Sequence, residues 1–168
     1  MNGYNVDMTA QAPDMRKQKF DSAEQELFLN LWRTYDCLRA LEDELFGRYD
    51  LTAQQYNALR LLRAARPKPV ATLELAGRLV SRAPDITRLL DRLHSRGLVS
   101  RVRPDDNRRT VQVALTDAGA ELLDDLDVQV RDCHRRQVGH LDPEELITLT
   151  DLLRRARAPH EPGGSDWR

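Results

Sequence analysis

Residues 81–109, SRAPDITRLLDRLHSRGLVSRVRPDDNRR, decide how the chain is to be read. Ile86, Leu89, Leu90 and Leu93 recur at the spacing of one helical face, which leaves Thr87, Arg88, Asp91 and Arg92 on the other. Proline is tolerated in a helix only within the first turn, so Pro84 sets the start at Arg82 or just after, and Gly97 closes the helix behind Arg96. Beyond Gly97 the period becomes alternating, with Val111, Val113 and Leu115 on one side of a strand that begins at Thr110. Leu98 to Arg103 is its partner, and Pro104-Asp105-Asp106-Asn107 supplies the turn between them. A basic amphipathic helix therefore runs into a two-stranded hairpin whose tip carries Arg103, Arg108 and Arg109.

Charge follows the same boundaries. The 168 residues carry a net charge of only -1. From Arg63 to Arg109, however, twelve Lys and Arg face five acids, a surplus of seven, so the remainder carries -8. A neutral chain with a basic middle and acidic flanks has the footprint of a polyanion-binding protein.

Upstream, Leu27, Leu31, Tyr35, Leu38, Leu41 and Leu45 mark an amphipathic helix from about Ser22 to Arg48, its stripe broadened by Phe28, Trp32 and Phe46. So wide a stripe predicts packing on more than one neighbour. Thr52 and Gln55 form a capping box and Leu51 and Tyr56 a hydrophobic staple, launching a second helix to about Ala65, which Pro67 and Pro69 end. Thr72 is read as the cap of a third, short helix through about Leu79. Downstream, Thr116 caps a fifth helix through about Val138, with Leu122, Leu123, Leu126, Val130 and Cys133 on its apolar side. Asp142, Pro143 and Glu145 open a sixth, ending near Ala156.

Three short helices followed by a two-stranded hairpin make a winged helix-turn-helix. The expected fold is mainly α with a small two-stranded β-hairpin wing, extended by long N- and C-terminal dimerisation helices. Residues 1–20 are expected to be a mobile tail, 21–157 a single domain, and 158–168 a second tail. Within the domain the DNA-binding lobe covers about 51–115, and the dimerisation helices about 22–48 and 116–156. A helix of this kind fits the major groove, where Arg can bond guanine and Thr can meet a thymine methyl. Arg82, Thr87, Arg88 and Arg92 are placed for base or phosphate contact, and Arg108 or Arg109 for insertion into a narrow minor groove.

The chain resembles the MarR family of bacterial transcriptional regulators over about Ala23 to Arg157. The carriers are Glu74-Leu75-Ala76, Thr87-Arg88-Leu89 with Asp91-Arg92-Leu93, Arg96-Gly97-Leu98-Val99, and Asn107-Arg108-Arg109 followed by Leu115-Thr116-Asp117-Ala118-Gly119. The family's wing usually reads D-x-R. Counting back from Leu115-Thr116 puts Asn107 where that Asp normally stands, with Arg109 as its Arg, while Asp106-Asn107-Arg108 spells the motif one residue early. An Asp would orient its Arg by a charge-assisted bond; Asn107 offers a neutral acceptor.

The resemblance implies a homodimeric repressor whose first, fifth and sixth helices interlock with those of a second subunit, spacing two reading heads along a palindromic operator in double-stranded DNA. It also implies release by a small, frequently aromatic or anionic effector, for which Trp32, Tyr35, Arg39 and Tyr56 are candidate lining groups; each of them also fits a core or interface role. Some relatives sense peroxide through a cysteine near the start of the first helix. Cys37 and Cys133 are instead read as buried, inert thiols.

Other functions find little support. Two distant cysteines make neither a disulfide framework nor a zinc site, and neither a metal nor a cofactor is expected. His94, His134, His140 and His160 lack H-E-x-x-H spacing, and no G-x-S-x-G elbow or phosphate-cradling glycine loop occurs, so no enzyme is expected. Neither a signal sequence nor a bilayer-spanning apolar run is visible, which predicts a cytoplasmic protein with no membrane partner. The rival is a winged-helix domain for protein binding or architectural DNA packing. It predicts no palindrome preference and no effector response.

Overall fold

A computed structural model describes residues 20–80, 85–102 and 111–161. The order is α1 (Ala23–Gly47), α2 (Ala53–Ala65), β1 (Val70–Ala71), α3 (Thr72–Arg78), α4 (Ile86–Ser95), β2 (Val99–Val102), β3 (Gln112–Leu115), α5 (Asp117–Val138) and α6 (Pro143–Arg157), with a short 3-10 turn at Ala158–His160. The chain divides into two compact units, residues 1–37 and 38–168. In the first, the described part is chiefly the N-terminal stretch of α1, where Leu27, Phe28, Leu31, Trp32 and Tyr35 are all exposed.

The second unit holds the core. Thr52 caps α2 by accepting from the Gln55 amide (3.2 Å), while the Gln55 side chain accepts from the Thr52 amide (2.8 Å). Both bonds satisfy amides that a helix start leaves without intrahelical partners. The helix so begun buries Ala58, Leu59 and Leu62 against a core that includes Leu75, Leu90, Leu93 and Leu123. Leu45 and Phe46 at the end of α1 join it.

The sheet is three-stranded and antiparallel, in the order β1-β3-β2. β2 and β3 pair with Val99 opposite Leu115 and Arg101 opposite Val113, the expected hairpin. The third strand corrects the two-stranded expectation: Val70 and Ala71 pair with Val113 and Gln112. Two residues are too few to display alternation, so β1 carried no period to read. The same pairing corrects the reading of Thr72. Its hydroxyl and amide both donate to the Val111 carbonyl oxygen, each at 3.0 Å, so it extends the sheet edge; Ala71 occupies the cap position of α3 without a side-chain bond.

The start of α4 is likewise later than expected. Asp85 is the cap, its Oδ1 accepting from the Arg88 amide at 2.9 Å, and the helix begins at Ile86. Gly97 turns the chain out of α4 with φ of 70°, a left-handed conformation that glycine adopts without a Cβ clash. Thr116 then caps α5 by accepting from the Gly119 amide (3.1 Å) while its hydroxyl donates to the Gly97 carbonyl (2.7 Å). Of the two cysteines, Cys133 is buried as read, and burial pushes its thiol pKa up; Cys37 is exposed, against the reading of it as an interior thiol. The apolar stripe of α1 that placed it inward is itself exposed from Leu27 to Tyr35.

Candidate nucleic-acid interface

The site is built on α4. Leu89, Leu90 and Leu93 are buried in the core, which fixes the rotation of the helix and leaves Thr87, Arg88, Asp91 and Arg92 exposed. A cleft of about 330 Å³ opens between this face and the first turn of α2, lined by Thr52, Gln54, Gln55, Asp85, Arg88, Leu89 and Arg92. Thr87, Arg88 and Arg92 thus stand on one helix face as the spacing predicted. Arg82, Arg103, Asn107, Arg108 and Arg109 lie outside the described residues.

The basic surplus divides by use. Among the described residues Arg88 and Arg92 have no ion-pair partner, so their guanidinium charge is available to a ligand. Several others are engaged by the protein. Arg63 reaches Asp127 in a forked pair (2.7 and 3.1 Å) and Asp124 at 3.3 Å; Arg66 reaches Asp117 at 2.7 Å, and Arg78 reaches Glu74 at 2.6 Å. The Arg63 bond holds the Asp127 carboxyl below the usual carboxylate range and raises the guanidinium in turn. Arg96 donates to the carbonyl oxygens of Tyr49 (3.0 Å) and Asp50, tying the end of α4 to the corner between α1 and α2.

Arg101 is engaged most fully. Nη1 donates to Asp91 Oδ1 at 2.6 Å and Nη2 to the Thr87 carbonyl oxygen at 3.2 Å. Its Nε is buried and has no hydrogen-bond partner among the described residues. A second hollow of about 240 Å³ lies beside it, between Ala71, Thr72, Leu73, Thr87, Leu90, Arg101 and Val111. Charge counting does not separate Arg96 and Arg101 from Arg88 and Arg92, and it does not point to the α2 residues of the larger cleft. The capping box announced that turn only as a helix start.

The effector candidates are placed as follows. Trp32 and Tyr35 belong to the first unit and are exposed, with the Phe28 and Trp32 rings 6.2 Å apart. Arg39 and Tyr56 belong to the second. Arg39 pairs with Asp43 at 3.3 Å; Tyr56 is half-buried, stacked on Phe46 at 4.6 Å, and burial pushes its phenol up. Among the described residues no group of three or more His, Cys, Asp or Glu could hold a metal ion, and no helix is long and apolar enough to cross a membrane.

A capped two-helix reader leading into a small antiparallel sheet defines a winged helix-turn-helix protein. The MarR family profile matches residues 51–111, the part that holds this site. The homoprotocatechuate degradative operon repressor of Escherichia coli is 30% identical over 106 residues, which cover 63% of this chain and 70% of that protein. Among solved structures, a MarR transcription factor from Planctomyces limnophilus is 57% identical with a TM-score of 0.65, over 81% of this chain and 98% of that one. A mutant MarR from E. coli complexed with operator DNA is 29% identical with a TM-score of 0.70, over 78% and 93%. The chain belongs to the MarR family.

Proposed function

We propose that the chain is a sequence-specific double-stranded DNA-binding repressor that works in the cytoplasm as a homodimer and is released by a small molecule. The observation that carries the reading is the pair Arg88 and Arg92: two guanidinium groups without an ion-pair partner among the described residues, on the outward face of a helix whose inward face is fixed by three buried leucines. On this reading Arg82, Thr87, Arg88 and Arg92 make base or phosphate contacts at the major groove, Arg103 and Asn107 belong to the DNA-contacting wing, and Arg108 or Arg109 enters the minor groove. The solved E. coli relative in complex with operator DNA supports it, as does the repressor among the related sequences.

Dimerisation is supported separately at each end of the chain. α1 exposes Leu27, Phe28, Leu31 and Trp32, and α6 buries none of its residues while exposing Ile147, Leu149 and Leu152. Large uncovered apolar stripes mark an interface. Accordingly, residues 51–115 form the reading lobe, and 22–48 with 116–156 the dimerisation arms. Trp32 and Tyr35 in the first unit, and Arg39 and Tyr56 in the second, are each kept singly as proposed effector-contact groups.

Fluorescence anisotropy tests the reading, with a duplex from the region upstream of the protein's own gene against a scrambled duplex over a salt series. A preference for the upstream duplex is expected, falling as salt rises because bound phosphates release counterions. Equal affinity for both duplexes would sink the regulator reading and favour an architectural role.

A further inference from the structure

Arg101 sits on β2, next to its last residue Val102, and its guanidinium spans one turn of α4. Thr87 and Asp91, its two acceptors, are four residues apart and so lie one above the other on that helix. The Arg101 side chain is 24% exposed, and its Nε faces no solvent. A guanidinium held this way is spent: one terminal nitrogen serves a carboxylate, the other a backbone carbonyl. Asp91 poses the complementary question. It is an acid on the exposed face that carries Arg88 and Arg92, where a polyanion would repel it.

We infer that Arg101 and Asp91 are a positioning pair that locks the wing strand to α4, so that helix and wing meet DNA as one rigid head. The inference rests on the DNA-binding reading above. Asp91 offsets the charge of Arg101, and the planar fork fixes the distance between β2 and the turn that holds Thr87 and Arg88. Lysine at this position would not reproduce the fork, because its donors radiate from a single nitrogen on a flexible stem instead of from two nitrogens held in one plane. Neither residue touches DNA on this account; both act through the residues that do.

Two measurements on the full chain test it. In anisotropy with the upstream duplex, Asp91→Asn is expected to lose about tenfold in affinity, although it removes a negative charge from the DNA-facing side. Arg101→Lys should lose as much while keeping its charge. Arg101→Lys should leave binding to the scrambled duplex unchanged and Asp91→Asn should tighten it, and the double variant should bind the upstream duplex no more weakly than either single one. In the free protein, amide hydrogen exchange should quicken in β2 for both variants and stay unchanged in α5 and α6. Asp91→Asn binding the upstream duplex as tightly as wild type or tighter, multiplicative effects in the double variant, or unaltered β2 exchange would each overturn the pairing. If wild type itself showed no preference for the upstream duplex, the regulator reading would fall, and exchange in the free protein would still decide the pairing.

Discussion

Arg88 and Arg96 lie eight residues apart at the two ends of α4 and carry the same charge, yet their surroundings give them different work. Arg96 donates to the Tyr49 and Asp50 carbonyls, at a corner where Asp50 holds φ of 51°. A left-handed non-glycine residue costs about 1 kcal/mol, and the charged bonds from Arg96 hold the corner in place. Arg96→Ala is therefore expected to destabilise the fold by about 2 kcal/mol, read as a lower denaturation midpoint. Arg88→Ala should shift stability by no more than about 0.5 kcal/mol. It should weaken specific DNA binding by about 1–3 kcal/mol if the side chain reads a base, or lower the salt slope by about one if it meets a phosphate. Equal thermal losses in the two variants would contradict this division of labour. Composition does not show the division, since a guanidinium counts as one charge whether it faces a carbonyl of its own chain or open solvent.

Between elements, the joint from the wing to α5 is set by Gly119. A Cβ built there would overlap the Leu98 carbonyl oxygen and stand 2.7 Å from Leu115 Cδ1, so the first turn of α5 packs directly on backbone. Gly119→Ala should cost about 1–3 kcal/mol in urea denaturation despite alanine's better helix propensity; a stabilised variant would show that the joint can open. The Arg63 pair joins α2 to α5. Because its hydrogen bond lowers the Asp127 pKa in the folded state, the stabilisation is present above the ordinary carboxylate pKa and is lost as pH falls through the lowered value. Both side chains are about one-third exposed, so the effect is modest. Asp127→Asn should cost about 1 kcal/mol at neutral pH, with the gap to wild type closing as pH falls through and below the ordinary carboxylate range. A gap independent of pH would assign the loss to packing.

The elements that could be read in advance are those with local signals. The capping boxes at Thr52 and Asp142 and the leucine face of α4 each state a structure within a few residues. What could not be read depends on distant partners. β1 exists because β3 lies beside it, and Thr72 serves Val111 across 39 residues instead of its own helix. Asp85 displaced the start expected from Pro84 because its carboxylate satisfies the Arg88 amide. Cys37 was misplaced because an apolar stripe says that a face will be covered, and not whether its own chain covers it.

At the scale of the whole molecule, a reading lobe whose helix leaves Arg88 and Arg92 without ion-pair partners among the described residues is joined in sequence to helices with uncovered apolar residues. Single-headed binding has no use for those stripes, whereas the proposed symmetric pair of chains would cover them and repeat the reading lobe about a twofold axis. The account then predicts a footprint as well as an affinity: two half-sites related by symmetry. The measurement that tests this most directly is selection of bound duplexes from a random pool by the full-length protein. The enriched sequences are expected to share a palindrome whose half-sites are centred about 10 bp apart, one turn of DNA. Enrichment of a single unpaired half-site, or no shared sequence at all, would contradict it.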